Sequence, residues 1–240
     1  MRTIAHLSDL HFGAVRPDRV LALRRSLLAL APDLVVVSGD LTQRARTYQF
    51  QAARAFLASL PFPRLVVPGN HDLPLRNWLR RLCDPLGRYR RHIADELYPV
   101  YRDEELLVLG LVSPHRLLLT AGWLSAGQRE WVRRQFREDA AGRCRILVLH
   151  HPLDYSDDDL GARPHLILAG HRHTSRIRGG DEAQPLLVQA GTATSHRLRD
   201  EDNAYNVLAV HDDGWVEIAV SRWDGRGFRC ESLYRYRFRR

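Results

Sequence analysis

The stretch that decides the fold predicted for this chain is Leu65-Val66-Val67-Pro68-Gly69-Asn70-His71-Asp72. Its three apolar residues indicate a buried strand, which Pro68 and Gly69 end with a sharp turn. An amide, an imidazole and a carboxylate follow at once, a pattern typical of a strand that delivers reactive groups to its carboxyl end. His71 can carry a proton near neutral pH, and Asp72 is expected to hold its ring in one tautomer.

The chain before this stretch alternates apolar strands with amphipathic helices. Strands are predicted at 3–8, 34–37 and 64–68, and helices at 18–31 and 45–59. This β-α-β-α-β order implies right-handed crossovers and a parallel sheet. In the first helix Arg19 is expected mostly outside the leucine-rich buried face. The inner stripe of the second helix is predicted to be Tyr48, Ala52, Ala55, Phe56 and Leu60.

The rest of the chain is predicted to add short helices and a strand-rich end. Two short helices within 75–97 form a small helical cap, and a helix at 125–139 has Ser125 as N-cap with Gln128 three residues on. Further strands are predicted at 100–102, 106–112, 145–149, 165–169, 185–190, 204–211, 214–223 and 227–238. No repeat or linker divides the chain, so residues 1–240 are expected to form one domain.

Composition restricts the cellular setting. With 240 residues and 45% hydrophobic residues, the chain can bury a substantial core. No apolar run approaches the roughly 20 residues of a membrane helix, so no membrane partner is expected. Met1-Arg2 leads straight into the first predicted strand, so no signal peptide is expected. The three cysteines are far apart, which predicts neither a disulfide framework nor a thiolate zinc site and favours the cytoplasm.

The formal net charge is +8, and every basic residue is arginine. The absence of lysine indicates the codon bias of a GC-rich genome, although part of the charge can attract an anionic substrate. Two arginine-rich segments leave alternatives open. Residues 76–91 form either a solvated helix face or a cap that binds substrate, and residues 234–239 form either a charged edge strand or a nucleic-acid surface.

Polar side chains follow five predicted strands at the point where each strand ends. These groups are Asp9 and His11, Asp40, Asn70 and His71, His150, and His171 and His173. Because ligands of open α/β sheets bind beyond the carboxyl ends of the strands, these side chains are expected to converge. Leaving His71 aside, the set of two aspartates, four histidines and one asparagine is too large for one tetrahedral zinc ion. It suits two divalent transition metals, with manganese, iron, zinc or cobalt favoured over calcium or magnesium.

Two metals about 3.5–4 Å apart are a device for in-line displacement at phosphorus. A metal-activated hydroxide would attack, and the departing alkoxide would need a proton. His71 is the best candidate for the general acid, a role typically worth about 10²–10⁴-fold in rate.

In this order the motifs resemble the signature of the calcineurin-like metallophosphoesterase superfamily. They stand here as Asp9-Leu10-His11, Gly39-Asp40, Gly69-Asn70-His71-Asp72, His150 and Gly170-His171-Arg172-His173. The resemblance implies a metallo-dependent phosphatase fold, a four-layer α/β/β/α sandwich of two mixed sheets flanked by helices. It implies that one metal is held by Asp9, His11, Asp40 and His173, and the other by Asp40, Asn70, His150 and His171, with Asp40 bridging. His71 would be the proton donor, supported by Asp72.

Residues 189–197 and 203–206 resemble the compact bacterial branch that includes class III cyclic-nucleotide phosphodiesterases. This resemblance suggests His196 and Arg197 as phosphate-binding residues, the alternative being a purely structural turn. The segment 152–164 is shorter than in many relatives, which leaves the inherited specificity open, and Arg172 is expected at the surface.

The predicted function is therefore hydrolysis of small phosphodiesters, with cyclic nucleotides favoured on the resemblance to that branch. The alternatives are a nuclease or phosphomonoesterase of the same superfamily, and a non-catalytic metal-binding scaffold. The short chain shows no extra nucleic-acid-binding domain, so long nucleic acid is not the expected partner. The sequence does not define the oligomeric state.

Overall fold

Two six-stranded mixed sheets, packed face to face, form the centre of this protein in a computed structural model. The structure describes residues 1–118, 120–139, 141–152, 163–180 and 184–238. The described strands are β1 (Arg2–Leu7), β2 (Leu34–Ser38), β3 (Arg64–Val67), β4 (Val100–Arg102), β5 (Leu106–Gly110), β6 (Cys144–Val148), β7 (Leu166–Ala169), β8 (Arg176–Gly179), β9 (Leu186–Gln189), β10 (Ala204–Val210), β11 (Trp215–Trp223) and β12 (Phe228–Arg237). The described α-helices are α1 (Pro17–Leu30), α2 (Thr47–Ala58), α3 (Trp78–Cys83), α4 (Gly87–His92) and α5 (Ala126–Arg137).

The first sheet has the order β12-β11-β10-β1-β2-β3 and the second the order β4-β5-β6-β7-β9-β8. Strands β1, β2 and β3 are parallel, as are β5, β6, β7 and β9. The antiparallel strands lie outside these parallel blocks. The carboxyl ends of each parallel block therefore share one edge of its sheet.

Three apolar clusters separate the layers. One lies between the sheets and contains residues of both, such as Ile4, Val36, Val108 and Ile146. The second joins the outer face of the first sheet to α1, α2 and α4, and the third joins the second sheet to α5. The predicted four-layer α/β/β/α sandwich is confirmed.

None of the helices in the described ranges is long and apolar enough to cross a membrane.

The order of predicted elements agrees with the structure, with ends shifted by one or two residues in most elements. Ser125 caps α5 as predicted, since its hydroxyl accepts a hydrogen bond from the Gln128 amide at 3.1 Å. Strand β8 was not predicted, because its sequence Arg-Ile-Arg-Gly contains a single large apolar residue. Strand β12 is an edge strand, and Arg235 and Arg237 on it are exposed, as the edge-strand alternative predicts.

The predicted buried faces of the first two helices need correction. Arg19 is buried rather than outside the face, because its guanidinium packs over the Trp223 ring at 3.8 Å. In α2 the predicted residues Tyr48, Ala52 and Ala55 are exposed. The buried stripe contains Gln49, Phe50, Ala53, Phe56 and Leu57. Gln49 is the first residue of this stripe, and its side-chain oxygen accepts hydrogen bonds from the Arg44 and Arg46 amides before the helix. Because Gln49 is polar, hydrophobic periodicity did not identify the correct buried face.

Candidate metal centre

The loops that follow β1 and β2 are joined by backbone hydrogen bonds. The Asp9 amide donates to the Gly39 carbonyl at 3.1 Å, and the His11 amide donates to the Asp40 carbonyl at 2.9 Å. At Gly69, which follows β3, an added Cβ would lie 2.1 Å from Asp40 Oδ1. These strand ends therefore approach more closely than a side chain at this glycine would allow.

Backbone conformation also singles out the predicted ligands. Seven non-glycine residues in the described chain have positive φ, and five of them are predicted ligands: Asp9, His11, Asp40, His171 and His173. Their φ values lie between 49° and 73°, in the left-handed region that most residues avoid. Strained conformations of this kind cluster at functional sites, where the surrounding structure holds them.

The first cluster consists of Asp9, His11, Asp40 and His173, all buried. Their possible ligand atoms lie within 4.8 Å of one another. Nε2 of His173 is 3.1 Å from Asp9 Oδ1, and Nε2 of His11 is 3.7 Å from Asp40 Oδ2. The two imidazole Nε2 atoms are 3.0 Å apart. The structure therefore brings together the four residues that the resemblance implies for one metal.

The second cluster is centred on Asn70. Its Oδ1 lies 3.1 Å from His150 Nε2 and 3.1 Å from His171 Nδ1. Asp40 Oδ2 is 3.4 Å from His150 Nε2, so this carboxylate lies between the two clusters. Asp9 of the first cluster also contacts the second, because its Oδ2 accepts a hydrogen bond from the His171 amide at 2.9 Å.

The hydrogen bonds of the rings test whether this donor set fits cations. His150 Nδ1 donates to the Ser38 carbonyl and His173 Nδ1 donates to the Arg197 carbonyl, each at 2.8 Å. The proton of each neutral ring is therefore on Nδ1, and each Nε2 presents a lone pair to a carboxylate. Acceptors that face one another in a buried site need positive charge between them. Carbonyl-anchored imidazoles with their second nitrogen facing carboxylates are typical of metal ligands, so the residues fit a metal site.

The electrostatics of the site show the same need for positive charge. Burial opposes protonation of His150, but the Asp40 carboxylate outweighs it and raises the pKa of His150 to about 9. Burial would raise the pKa of Asp40, but His150 and His11 together lower it well below its usual range. Burial would likewise raise the pKa of Asp9, but hydrogen bonds from His11 and His173 hold it well below its usual range, so both Asp9 and Asp40 are ionised.

His71 lies beside the first cluster. Its backbone amide donates to Asp40 Oδ1 at 2.8 Å, and its ring meets the His11 ring edge-on, with centroids 5.0 Å apart. Nδ1 of His71 donates to the Gln43 carbonyl at 2.8 Å, and Nε2 accepts from Arg197 at 3.2 Å. Burial is the main cause that lowers the pKa of His71, so the ring is neutral with its proton on Nδ1.

The prediction that Asp72 holds the His71 ring is wrong, because the Gln43 carbonyl orients that ring. Asp72 instead accepts the backbone amides of Leu41, Thr42 and Gly69 at 2.8–3.1 Å, together with the Thr42 hydroxyl. Burial and the nearby Asp40 raise the pKa of Asp72 to about 7, against these amides. Asp72 therefore ties the loop after β2 to the turn after β3.

The two predicted phosphate-binding residues differ in their relation to the site. Arg197 reaches the site through its contact with His71, whereas His196 is exposed and its backbone amide bonds to the Ala14 carbonyl. The preceding turn supports the ligand loop, since Thr192 Oγ1 donates to the Asp9 carbonyl at 2.6 Å. Arg172 is exposed, as expected. Residues 153–162, which are most of the shortened segment 152–164, lie outside the described residues. So does the acidic loop that the sequence predicts at 156–159.

His151 is a site residue that the sequence analysis missed. It is buried, and its ring centroid lies 4.5 Å from that of His171. Ser113 Oγ accepts the amides of His150 and His151, so its own proton is donated to His151 Nδ1, 2.9 Å away. The ring proton is then on Nε2, while the ring also offers a nitrogen within 4.8 Å of possible ligand atoms of His150 and His171. The double histidine His150-His151 was the available signal.

The chain is similar in sequence and in fold to known phosphoesterases. A family model described as "Calcineurin-like phosphoesterase" matches residues 2–175. The glycerophosphodiester phosphodiesterase GpdQ of Enterobacter lignolyticus is 31% identical over 62% of this chain, which spans just over half (56%) of that relative. A probable cyclic nucleotide phosphodiesterase of Synechococcus is 26% identical over 74% of this chain and 75% of that protein. The purple acid phosphatase PPD1 of yellow lupin, 12% identical, superposes with a TM-score of 0.70 over 98% of this chain and 53% of its own.

Proposed function

The chain belongs to the calcineurin-like phosphoesterase family, and on that premise we propose that it is a metal-dependent phosphodiesterase with a binuclear centre. The observation that carries the proposal is the position of Asp40. Its Oδ2 is 3.7 Å from His11 Nε2 in one ligand cluster and 3.4 Å from His150 Nε2 in the other. A carboxylate shared between two ligand sets is suited to a pair of closely spaced divalent ions.

Under this proposal Asp9, His11, Asp40 and His173 hold one ion, and Asp40, Asn70, His150 and His171 hold the other. The donors are nitrogen and oxygen without thiolate, which favours manganese, iron, zinc or cobalt. When bound, such a pair supplies an acidified water molecule and neutralises charge on the phosphoryl oxygens. The protein's part is to keep the buried carboxylates ionised and to direct the ring Nε2 atoms toward the ions. The Ser38 and Arg197 carbonyls do the latter by accepting the Nδ1 protons of His150 and His173.

His71 is proposed to protonate the leaving group. In its resting arrangement Nε2 accepts a hydrogen bond from Arg197, so the ring must gain a proton there before it can donate one. A bound phosphate offers Arg197 a stronger, charge-assisted partner than a neutral imidazole. Substrate binding would therefore draw Arg197 away from His71, so that Nε2 can take a proton from a water molecule and then give it to the departing alkoxide.

The proposed substrates are small phosphodiesters, with cyclic nucleotides favoured and phosphomonoesters or nucleic acid as alternatives. The proposal is supported by two relatives, whose names describe a glycerophosphodiester phosphodiesterase and a probable cyclic nucleotide phosphodiesterase. A cytoplasmic location is proposed with it, since such substrates are intracellular metabolites and the three cysteines are free thiols. A non-catalytic scaffold is less consistent with a complete ligand set beside His71.

The proposal is tested with a panel of phosphate esters and manganese supplied. The panel contains cyclic AMP, glycerophosphocholine, bis-p-nitrophenyl phosphate, p-nitrophenyl phosphate and a single-stranded oligonucleotide. We expect turnover of diesters that is lost in Asp40→Ala and kept in Asp212→Ala, which removes an exposed aspartate in a distant turn. Intact diesters throughout the panel with a metal-loaded protein would refute the proposed activity, and faster turnover of the monoester would replace it with a phosphomonoesterase.

A further inference from the structure

Exposed apolar side chains concentrate in two segments of the described chain. In the described residues as a whole, sixteen large hydrophobic residues are exposed, and seven of these lie within 75–82 and 117–123. Leu79 is 75% exposed, Trp78 52% and Trp123 50%. We call this set the apolar rim; its members are Leu75, Trp78, Leu79, Leu82, Leu117, Leu118 and Trp123. Exposed apolar side chains grouped in this way mark an interaction site rather than ordinary surface.

Arg81 joins the two segments of the apolar rim. Its side chain is almost completely buried, and its guanidinium donates to four backbone carbonyls at 2.7–3.3 Å, those of Pro74, His115, Arg116 and Leu118. Burial lowers the pKa of Arg81, but the four acceptors satisfy the donors that a buried cation presents. The rim is thereby held as one surface rather than as two independent loops.

The apolar rim borders the metal centre. Gly122 lies directly against His151, since an added Cβ would be 2.4 Å from His151 Cβ. Ser113, four residues before the segment 117–123, accepts the amides of His150 and His151 with its hydroxyl oxygen. The other segment begins directly after the turn that carries His71 and Asp72. The surface is therefore continuous with the side of the site formed by the His150–His151 pair.

The charge of the rim limits what can cover it. Residues 73–83 and 114–123 contain no aspartate or glutamate, whereas Arg76, Arg80 and Arg116 are exposed among the apolar side chains. Two copies of such a surface would repel each other if they met face to face. Tryptophan and leucine interspersed with arginine, without acidic residues, is the composition of segments that lie in the interface of an anionic bilayer.

We propose that the apolar rim binds peripherally to the surface of an anionic phospholipid bilayer. Leu79 and the two tryptophans enter the headgroup region, while Arg76, Arg80 and Arg116 pair with lipid phosphates. The expectation of no membrane partner was based on the lack of a spanning segment, which peripheral binding does not need. The inference is independent of the substrate, because vesicle binding can be measured without turnover.

The test uses the full chain and sedimentation with vesicles, either of phosphatidylcholine alone or of phosphatidylcholine mixed with phosphatidylglycerol. The variant Leu79→Glu/Arg80→Glu is compared with Leu21→Glu/Arg25→Glu on α1. The control changes an exposed leucine and an exposed arginine in the same way, so net charge is equal in the two variants. Thermal melts and gel filtration check that both variants fold and report any dimer.

We expect binding to the anionic vesicles that weakens at high salt, with little binding to phosphatidylcholine. Each arginine near an anionic surface is worth about fivefold in partitioning, so the rim variant should lose at least about tenfold and the α1 variant much less. No binding of the wild type to anionic vesicles at low salt, or equal loss in both variants, would overturn the proposal. A dimer that the rim variant dissociates, without vesicle binding, would overturn it in favour of a second copy.

Discussion

Replacing Gly69 by alanine tests whether the predicted ligands depend on the close approach of strand ends. The new Cβ would lie 2.1 Å from Asp40 Oδ1 and 2.3 Å from the Asp40 backbone nitrogen. Ordinary van der Waals contact begins near 3.4 Å, so these atoms must separate by more than 1 Å. Rotation of the Asp40 side chain relieves the first contact only, and the second requires the backbone itself to move.

The size of the effect follows from that displacement. Overpacking of this kind typically costs about 1–3 kcal/mol of stability, which a domain of this size can tolerate. A misplacement of about 1 Å in a catalytic constellation can cost about 10²-fold in rate. Gly69→Ala should therefore remain folded, bind manganese more weakly at both positions and lose about 10²-fold in diester turnover.

The assay combines a thermal melt, metal content after dialysis against a fixed manganese concentration, and turnover of bis-p-nitrophenyl phosphate. Gly227→Ala is the matched control, because no atom lies within 4 Å of a Cβ added there. It should match the wild type in all three measurements. If Gly69→Ala retains full metal content and wild-type turnover, the close packing of Gly69 against Asp40 has no functional consequence and the reasoning fails.

Three further predictions concern single residues. His71→Gln should lower turnover of an alkyl diester by about 10²-fold or more, but less for a p-nitrophenyl leaving group, which departs without a proton; equal losses on both substrates would remove His71 as the acid. Asp40→Ala should weaken both metals in elemental analysis, while Asp212→Ala keeps them, and two fully occupied metals in Asp40→Ala would contradict the bridging role. Burial lowers the pKa of His6 to about 3, so stability contributed by its neutral form is lost as pH falls below about 6.5. Between pH 7 and 5 this amounts to about 2 kcal/mol of unfolding free energy, and denaturant titrations of His6→Gln should show a correspondingly shallower pH dependence than the wild type; identical slopes would argue against it.

The parallel strands could be predicted because burial on both faces gives a run of apolar residues that has few other interpretations. Leu34 to Val37 is such a run, and it lies in β2 between the inter-sheet core and the helix layer. The predicted ligand residues followed from position, since each lies within a few residues of the end of such a strand. Position at a strand end was sufficient to predict that these side chains would meet, but it did not identify His151.

What could not be predicted depends on hydrogen bonds between distant segments. The orientation of His71 by Gln43 involves a backbone carbonyl, which leaves no trace in residue identity. Asp72 is adjacent to His71 in sequence, but the 3₁₀ turn Asn70–Asp72 directs its carboxylate to the amides of Leu41 and Thr42. Adjacency along the chain was a poor guide because the turn separates the two side chains.

The apolar rim and the role of Arg81 in joining its two segments could not be predicted for a related reason. Arg81 reads in the sequence as one of several surface arginines, and its burial depends on carbonyls more than thirty residues away. Arg19 is a similar case, because only the fold places Trp223 against it. Arginine identity alone does not distinguish a solvated side chain from one that fixes two segments of the structure.

The most direct test of the central claim is anomalous diffraction from crystals of the protein loaded with manganese. The account predicts two peaks about 3.5–4 Å apart, with the Asp40 carboxylate in contact with both. One ion should contact Asp9, His11 and His173, and the other Asn70, His150 and His171. A single fully occupied peak, or two ions that Asp40 does not bridge, would contradict the binuclear centre.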